Sequence, residues 1–366
     1  MSELQWVYRR AYEVFNYRLR YWGGGRFASY CRPVSIIFLL TERCNAKCLH
    51  CNIWQNRGQE DSPTMEQWKT VLTDLRHWLG PIQVSFSGGE ALLKPYTIDL
   101  VQHAHEIGLK LELLTHGWWE DQTKIEKVAL AHPWRVTMSI DGIGEVHNIV
   151  RGKPNFWEKS SRSIETLRRM RKEHNLSYTI RLKNVIMSHN LSDTLKVAEF
   201  ANQEGMEVFY QPIEQNYNSA EDPEWYNKSS NWPSDPSLAI SNVKQLIEMK
   251  RKGYHIANSF AQLEAIIPYF ENPDRLRIAT QTHSAHEQRR SCNALITLQF
   301  QSNGDVTVCT GVPPVGNVKS TPIREIWEQR PHFWESGCCL ERRCSDAELT
   351  QIDPAASLTA AKAWKR

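Results

Sequence analysis

The chain has 366 residues, of which 44 are Lys or Arg and 41 are Asp or Glu, so its formal net charge is only +3. This balance argues against nucleic acid as the main partner, and we predict no nucleic-acid binding. No apolar run reaches the length of about 18 residues that a transmembrane helix needs, and the N-terminus lacks the apolar segment of a secretory signal. We therefore expect a cytoplasmic protein in a reducing or anaerobic environment.

The first predicted element is a helix over residues 5–22, rich in arginine and aromatic side chains, which ends at Gly23. Two interpretations of this helix remain open. Arginine and aromatic side chains on one helix can lie at a membrane interface, which would give the protein a peripheral membrane contact. The same helix can instead pack against the following domain and cover the open edge of its sheet.

Strand and helix signals then alternate along the chain. Short apolar runs predict six buried parallel strands: Val34–Leu40, Ile82–Phe86, Leu109–Leu114, Val136–Ile140, Tyr178–Met187 and Val208–Gln211. A helix is predicted in each connection, and Ser62 as N-cap with Pro63 as first helical residue marks where the first of these begins. The alternation predicts an α/β fold, a partial TIM-like (β/α)6 barrel with right-handed crossovers.

Five regions follow from this pattern. They are an N-terminal helical extension (1–30), the barrel (31–213), a polar linker with two helices (214–287), a small domain (288–350) and a C-terminal tail (351–366). The two helices are predicted over 238–252 and 259–271. Within the small domain, strands at Ile296–Phe300 and Val306–Val308 flank a turn and predict a β-hairpin.

A loop with three cysteines follows the first predicted strand. Cys44, Cys48 and Cys51 have the spacing C-x3-C-x2-C. Thiolates are soft ligands suited to iron–sulfur clusters, and three of them on one loop can hold three irons of a [4Fe–4S] cube and leave the fourth iron open. Structural zinc is the alternative, but it needs a fourth ligand. No Cys, Asp or Glu follows at metal-finger spacing, and His50 lies between two of the ligands.

This loop resembles the signature of the radical S-adenosylmethionine (SAM) superfamily. The resemblance implies that the open iron chelates the amino and carboxylate groups of SAM. The reduced cluster would then cleave SAM to methionine and a 5′-deoxyadenosyl radical, which removes a hydrogen atom from the substrate. His50, directly before the third cysteine, is implied to pack on the adenine.

Two further motifs follow later strands. Gly88, Gly89 and Glu90 resemble the family's GGE motif, which implies that Glu90 and nearby carbonyls hold the methionine amine, while the glycines let the backbone approach a ligand. Ser139 and Asp141, with Arg151 downstream, resemble its S-x-D-G…R-G stretch. There the serine is implied to contact the ribose or carboxylate of SAM and the arginine to pair with the carboxylate. Asp141 is grouped with these cofactor-binding residues.

Two histidines near these motifs have no assigned chemistry. His116 occupies the centre of Thr-His-Gly, where the family usually carries Thr-Asn-Gly. His147 lies between the aspartate and the arginine of the preceding motif. We expect both to be packing or loop histidines rather than catalysts. At the end of the last barrel strand, Tyr210, Gln211 and Glu214 are candidates to face the substrate.

A second group of cysteines lies near the C-terminus: Cys292, Cys309, Cys338, Cys339 and Cys344. With the predicted hairpin between its first two members, the group resembles the auxiliary-cluster region of SPASM/twitch proteins. Five cysteines fit the twitch form with one additional [4Fe–4S] cluster. The implied ligands are Cys292, Cys309, Cys344 and either Cys338 or Cys339. A zinc site on the same thiolates remains open. A cluster with four protein ligands would serve as an electron relay.

The resemblance implies a radical SAM enzyme that abstracts hydrogen from a small-molecule, saccharide, lipid-linked or peptide substrate. An electron donor such as flavodoxin or ferredoxin would reduce it. Two alternatives are a ribosomal-peptide maturase and a non-catalytic protein that binds an iron–sulfur cluster or SAM without turnover.

Overall fold

The computed structural model describes residues 3–23, 27–56, 61–220, 222, 224–271, 273, 295–309 and 313–330. Six parallel strands form its centre: β1 Ser35–Thr41, β2 Gln83–Gly88, β3 Lys110–Thr115, β4 Arg135–Ser139, β5 Thr179–Ile186 and β6 Glu207–Pro212. They are hydrogen-bonded in the order β6-β5-β4-β3-β2-β1. All five pairings are parallel, which confirms the predicted partial (β/α)6 barrel.

Helices lie between these strands and after them. They are α1 Glu3–Gly23, α2 Met65–Leu79, α3 Thr97–Glu106, α4 Thr123–Leu130, α5 Glu145–Arg151, α6 Phe156–Glu173, α7 Thr194–Gln203, α8 Trp225–Lys228, α9 Ser237–Arg251, α10 Phe260–Glu271 and α11 Ile323–Gln329. Each barrel connection contains at least one helix, as predicted. Apolar residues of α2, α3, α4, α6 and α7 are buried, and they form one hydrophobic core with the strands.

The start of α2 differs from the prediction. Its N-cap is Thr64, whose side chain accepts a hydrogen bond from the backbone N–H of Gln67, while the Gln67 side chain accepts one from the Thr64 N–H. This reciprocal pair satisfies two N–H groups that lack helical partners. Pro63 therefore precedes the helix, and its carbonyl accepts a hydrogen bond from Tyr96. The prediction of Ser62 as N-cap is wrong by two residues.

The sheet continues beyond β1. Strands β7 (Thr297–Phe300) and β8 (Asp305–Thr307) form the predicted hairpin, and β9 (Gly316–Asn317) pairs with β8. The hairpin is attached to the barrel, because β7 pairs with β1 in parallel. Phe38 and Phe300 stack at 4.2 Å between ring centroids across this pairing. The five region boundaries remain predictions.

Helix α1 packs on the segment that leads into β1. Tyr12 donates a hydrogen bond to the Pro33 carbonyl, and the Asn16 side chain accepts one from the Arg32 N–H. The edge of β1 is paired with β7, so α1 packs against the domain without covering that edge. Among the described side chains of α1, Leu4, Val7, Tyr8 and Phe15 are exposed. A membrane contact through α1 stays a prediction. None of the described helices combines the length and apolarity needed to cross a membrane.

Candidate active site

A cavity of about 270 Å³ lies at the carboxyl ends of the barrel strands, where parallel barrels bind ligands. The thiols of the first three-cysteine group all line it. Other sequence-predicted residues line it too: His50, Gly88, Gly89, Ser139, Arg151 and Gln211. The structure therefore brings most of the predicted cofactor-binding residues to one place. Glu90 and Asp141 lie behind the lining.

The three-cysteine loop (residues 44–51) is held on one side by the loop that follows β2. The Gly89 N–H donates to the Thr41 carbonyl at 2.7 Å, and the Glu90 N–H donates to the Arg43 carbonyl at 2.9 Å. A Cβ atom on Gly89 would lie 2.2 Å from the Arg43 oxygen. These glycines are thus required for close packing of two loops, a reason that sequence reasoning missed. Their contact with SAM stays a prediction.

The end of α5 holds the loop on its other side. The Lys47 N–H donates to the Arg151 carbonyl at 3.3 Å, and the Leu49 N–H donates to the Val150 carbonyl at 3.0 Å. Gly152 ends α5 with a φ of +70°, and a Cβ there would lie 2.2 Å from the Lys47 oxygen. The Arg-Gly pair therefore places a cation beside the loop and permits close backbone contact with it.

The polar segment 214–237 is more than a linker. The side chains of Asn216 and Asn231 both donate to the Leu49 carbonyl at 3.0 Å. The Asn52 N–H donates to the Tyr217 carbonyl at 2.9 Å. The segment therefore forms a third support of the three-cysteine loop, and Tyr217 completes the cavity wall. The sequence predicted a polar linker, and part of this segment instead satisfies backbone groups of the loop.

Asp141 and Arg151 form a buried ion pair, with 2.6 Å between Asp141 Oδ2 and Arg151 Nη2. Asp141 Oδ1 accepts a hydrogen bond from the Val185 N–H, and Arg151 Nη1 donates to Cys48 Sγ at 3.5 Å. Burial alone would raise the pKa of Asp141, but Arg151 and the neighbouring histidines hold it below its ordinary value. The arginine therefore stays charged next to a thiol of the three-cysteine loop.

Glu90 is also buried, but its partners are neutral. One carboxylate oxygen accepts from Thr115 Oγ1 at 3.0 Å and from the His116 N–H at 2.9 Å, and the other accepts from the Leu92 N–H at 3.1 Å. Burial raises the pKa of Glu90 to about 7, although these hydrogen bonds oppose the shift. The carboxylate joins the loops after β2 and β3. Its implied contact with the SAM amine stays a prediction.

His116 links the same loops to the three-cysteine loop. Its Nδ1 accepts from the Trp118 N–H at 2.9 Å, which assigns the proton to Nε2. Nε2 then donates to the Asn45 side-chain oxygen at 2.7 Å. Burial lowers the pKa of His116 well below its ordinary value, so the ring is neutral. His147 has a structural contact too, because its Nδ1 accepts from the Asp141 N–H.

Sequence reasoning missed Lys183. It lies on β5 beside Ser139 of β4 and lines the cavity. Its ammonium makes no hydrogen bond or close ion pair with any residue that the structure describes. Burial lowers the pKa of Lys183, opposed chiefly by Glu214 and Glu112. The available signal was the alternation along β5, which places Arg181 and Lys183 on the same inward face.

The same alternation corrects one substrate candidate. Tyr210 is buried on the opposite face of β6, where its hydroxyl donates to the Thr194 carbonyl at 2.7 Å. Tyr210 therefore does not face the cavity, and that expectation is wrong. Gln211 does line the cavity, and Glu214 acts electrostatically on Lys183.

The cavity fits an iron–sulfur cluster with a ligand bound beside it. No three His, Cys, Asp or Glu side chains in the described ranges converge on one point as single-ion ligands would. A cubane instead takes one thiolate per iron. Burial raises the pKa of Cys44 to about 12, so its thiolate requires a compensating positive charge such as iron. His50 Nδ1 and Arg151 Nε are buried without a hydrogen-bond partner among the described residues, which leaves them available to a ligand.

Of the second cysteine group, only Cys309 belongs to the described residues, and it follows β8 as a half-buried thiol. The other four, Cys292, Cys338, Cys339 and Cys344, lie outside them. The auxiliary ligand set therefore stays a prediction, as does the choice between Cys338 and Cys339.

Comparison with known proteins agrees with this geometry. Residues 38–201 match the family model of the Radical SAM superfamily. The AdoMet-dependent heme synthase of Methanosarcina barkeri is 26% identical over 82% of this chain and 84% of its own length. The pre-heme d1 synthase of Dinoroseobacter shibae is 26% identical over 90% of this chain and 87% of its own length. A PqqA peptide cyclase of Bradyrhizobium diazoefficiens is 30% identical, but over only 31% of this chain and 30% of its own length.

Among solved structures, SuiB of Streptococcus suis bound to S-adenosylmethionine superposes with a TM-score of 0.61 at 13% identity, over 84% of this chain and 68% of SuiB. At this identity the likeness concerns the fold, which is the predicted partial barrel. Three findings are consistent with one another: the fold, the family match of residues 38–201, and the relatives that align over most of the chain. Residues 38–201 therefore form a domain of the Radical SAM superfamily, the family of enzymes that use a [4Fe–4S] cluster and SAM.

Proposed function

We propose that Cys44, Cys48 and Cys51 hold the catalytic [4Fe–4S] cluster. The observation that carries this assignment is that all three thiols line one cavity together with Gly88 and Ser139. When bound, the cluster supplies the electron that splits SAM into methionine and a 5′-deoxyadenosyl radical. The three supports of the loop keep the three cysteines at the cavity, where they would hold the cluster.

The protein residues around the cavity would bind and orient SAM. Arg151, fixed by Asp141, donates a hydrogen bond to the Cys48 sulfur and stabilises its negative charge. Burial lowers the pKa of His50 to about 4, so its ring is neutral and suited to pack on an adenine. Ser139 and Lys183 lie side by side and provide a hydroxyl and an ammonium for a carboxylate. The two terminal nitrogens of Arg151 are engaged by Asp141 and Cys48, whereas the Lys183 ammonium has no such partner among the described residues, which makes Lys183 the better candidate for that carboxylate.

We propose that the substrate is a carboxylated small molecule of the tetrapyrrole class, from which the radical abstracts hydrogen. The relatives that match 82% and 90% of the chain are named as a heme synthase and a pre-heme d1 synthase. The ammonium of Lys183 at the cavity agrees with a carboxylated ligand. A ribosomal-peptide maturase is the second candidate, supported by the PqqA peptide cyclase that matches 31% of the chain.

The C-terminal cysteines would then hold an auxiliary cluster that relays electrons. Cys309, Cys292 and Cys344, with Cys338 or Cys339, are its proposed ligands. The position of β7 supports this proposal, because its pairing with β1 ties the cysteine-bearing hairpin to the strand that leads into the three-cysteine loop. An electron donor such as flavodoxin or ferredoxin would supply both clusters.

The direct test is anaerobic reconstitution, reduction with dithionite and addition of SAM. We expect methionine and 5′-deoxyadenosine from the wild type and neither from the variant Cys44→Ala/Cys48→Ala/Cys51→Ala. For the substrate, iron coproporphyrin III and a short peptide are compared. Faster formation of 5′-deoxyadenosine with the porphyrin, together with transfer of deuterium from labelled porphyrin into the 5′-deoxyadenosine, supports the tetrapyrrole class. Stimulation by the peptide alone would overturn that class but leave SAM cleavage standing.

A further inference from the structure

A second concave surface lies outside the three-cysteine loop. It is an open groove of about 430 Å³, separate from the smaller cavity that holds Ser139 and Lys183. Cys44 and Ala46 line both spaces. This segment of the loop is therefore a thin wall, with the SAM cavity on one side and the groove on the other.

The groove is basic. Arg43, Lys47 and Lys153 line it, and no Asp or Glu belongs to the described lining. Arg43 and Lys47 are exposed, and none of the three forms an ion pair with a carboxylate in the part of the chain that the structure describes. The Lys153 ammonium instead lies 3.8 Å from the ring centre of Trp118. This positive surface stands out because the whole chain carries a net charge of only +3.

We propose that this groove is the docking surface for the acidic one-electron carrier protein that reduces the catalytic cluster. The inference rests on the proposed function, because it places the cluster on the Cys44 thiolate. An electron has to pass from a carrier in the solvent to that cluster. At the groove, the side chain of Cys44, a proposed cluster ligand, would be the thinnest layer of protein between the two. One electron leaves the carrier and enters the cluster, and no bond or proton changes place.

A macromolecular substrate fits the groove less well. Hydrogen abstraction takes place where SAM lies, which is in the cavity with Ser139 and Lys183 on the far side of the wall. A carrier needs only proximity to the cluster, and a positive surface raises its rate of encounter when the carrier is negative. Such steering weakens as salt screens the charges.

Lys153→Glu tests the proposal in the reconstituted enzyme, with Lys244→Glu as the matched control. Lys244 is an exposed lysine of α9, and its replacement changes the net charge equally. Reduced flavodoxin is the probe, in two measurements: its affinity for the enzyme and the rate of cluster reduction, each at low and high salt. We expect Lys153→Glu to slow reduction by flavodoxin about tenfold at low salt, with a smaller difference at high salt. Lys47→Glu should weaken flavodoxin binding similarly.

Reduction by dithionite distinguishes a loss of carrier docking from a change in the cluster, because this small reductant needs no docking surface on the protein. Lys153→Glu should match the wild type when dithionite is used. Equal flavodoxin binding and reduction rates in Lys153→Glu and Lys244→Glu would overturn the docking site. A raised KM for the substrate with dithionite would also overturn it, and would assign the groove to substrate. Failure of the wild type to form 5′-deoxyadenosine with dithionite would instead refute the proposed function, while flavodoxin binding would still be measured.

Discussion

Two buried carboxylates, Glu90 and Asp141, occupy similar places after β2 and β4, yet their surroundings differ. Asp141 faces the Arg151 guanidinium, which holds its pKa below the ordinary value despite burial. The hydrogen bonds that Glu90 accepts come from neutral groups, and burial prevails over them and over the charge of Lys124, which raises the pKa of Glu90 to about 7. The comparison teaches that two buried motif carboxylates can have different roles. Asp141 fixes a charge beside Cys48, whereas Glu90 ties two loops together.

The largest effect is expected from Asp141→Asn. The amide can still accept a hydrogen bond from the Val185 N–H, but Arg151 is left as an unpaired buried charge. Breaking a buried pair in this way costs about 3–5 kcal/mol. The free energy of unfolding of the holoprotein, measured anaerobically in denaturant, should fall by that amount.

The control for this change is Glu126→Gln, which breaks the largely exposed ion pair with Arg169. A surface pair contributes about 0–1 kcal/mol, so this variant should be nearly as stable as the wild type. Equal losses for the two variants would mean that the buried pair has no special role.

The second prediction concerns the backbone on the arginine side. Gly152→Ala should displace the three-cysteine loop, because its Cβ would lie 2.2 Å from the Lys47 oxygen. Gly205→Ala is the matched control, since Gly205 has a φ of +65° with nothing near its Cβ position. Left-handed strain alone costs about 1–2 kcal/mol in both variants. Only Gly152→Ala should also lower the iron content after reconstitution. Equal iron content in the two would refute the steric clamp.

Lys183→Met tests the contrast between Arg151, which is paired with Asp141, and Lys183, which has no hydrogen-bond partner among the described residues. Losing a hydrogen bond from a charged group costs about 1.5–3 kcal/mol, or roughly 10–100-fold in affinity. The dissociation constant of SAM and the KM of the porphyrin are measured separately, because both carry carboxylates. A rise in one of them identifies the ligand of Lys183, and Lys183→Arg should recover part of the loss. Unchanged values for both would exclude a carboxylate contact.

The smallest effect is expected on the Glu90 side and should depend on pH. Because the pKa of Glu90 is raised from 4.5 to about 7, the folded protein binds more protons than the unfolded chain between these values. Its contribution to stability therefore falls as pH rises from about 4.5 to 7. Glu90→Gln does not titrate. Both oxygens of Glu90 accept hydrogen bonds, so the side-chain NH2 of the glutamine must face a donor, which costs about 1–3 kcal/mol. Its stability deficit relative to the wild type should shrink between pH 5.5 and pH 8. A constant deficit would contradict the raised pKa.

Local patterns predicted much of the fold. The apolar runs located all six barrel strands to within a few residues, and the helices predicted over 238–252 and 259–271 match α9 and α10 to within one residue. The parallel pairing of β7 with β1 had no local signal, because it joins segments that are far apart in the sequence. The N-cap at Thr64 depends on a reciprocal side-chain contact with Gln67, and Ser62 satisfied the same composition rule.

The site was predicted in part. The motifs predicted the three cysteines, Ser139 and Arg151 as site residues, and all of them line one cavity, because all follow or end strands of one parallel sheet. Lys183 was missed because a lysine in a strand suggests solvent exposure unless the inward face of that strand is known. Two of the neutral partners of Glu90, Thr115 and His116, lie at the end of another strand, so no local pattern indicated that its carboxylate is already hydrogen-bonded.

The central claim is that the three thiols of residues 44–51 hold one cluster whose open iron binds SAM. The most direct test is the electron paramagnetic resonance spectrum of the reduced protein with and without SAM, in the variant Cys309→Ala, which removes a proposed auxiliary ligand. We predict about four irons per chain and a spectrum that SAM changes. Replacing Cys48 by Ala in addition should abolish both the signal and the response. A spectrum that SAM leaves unchanged, or one that survives the loss of Cys48 with its response intact, would contradict the account.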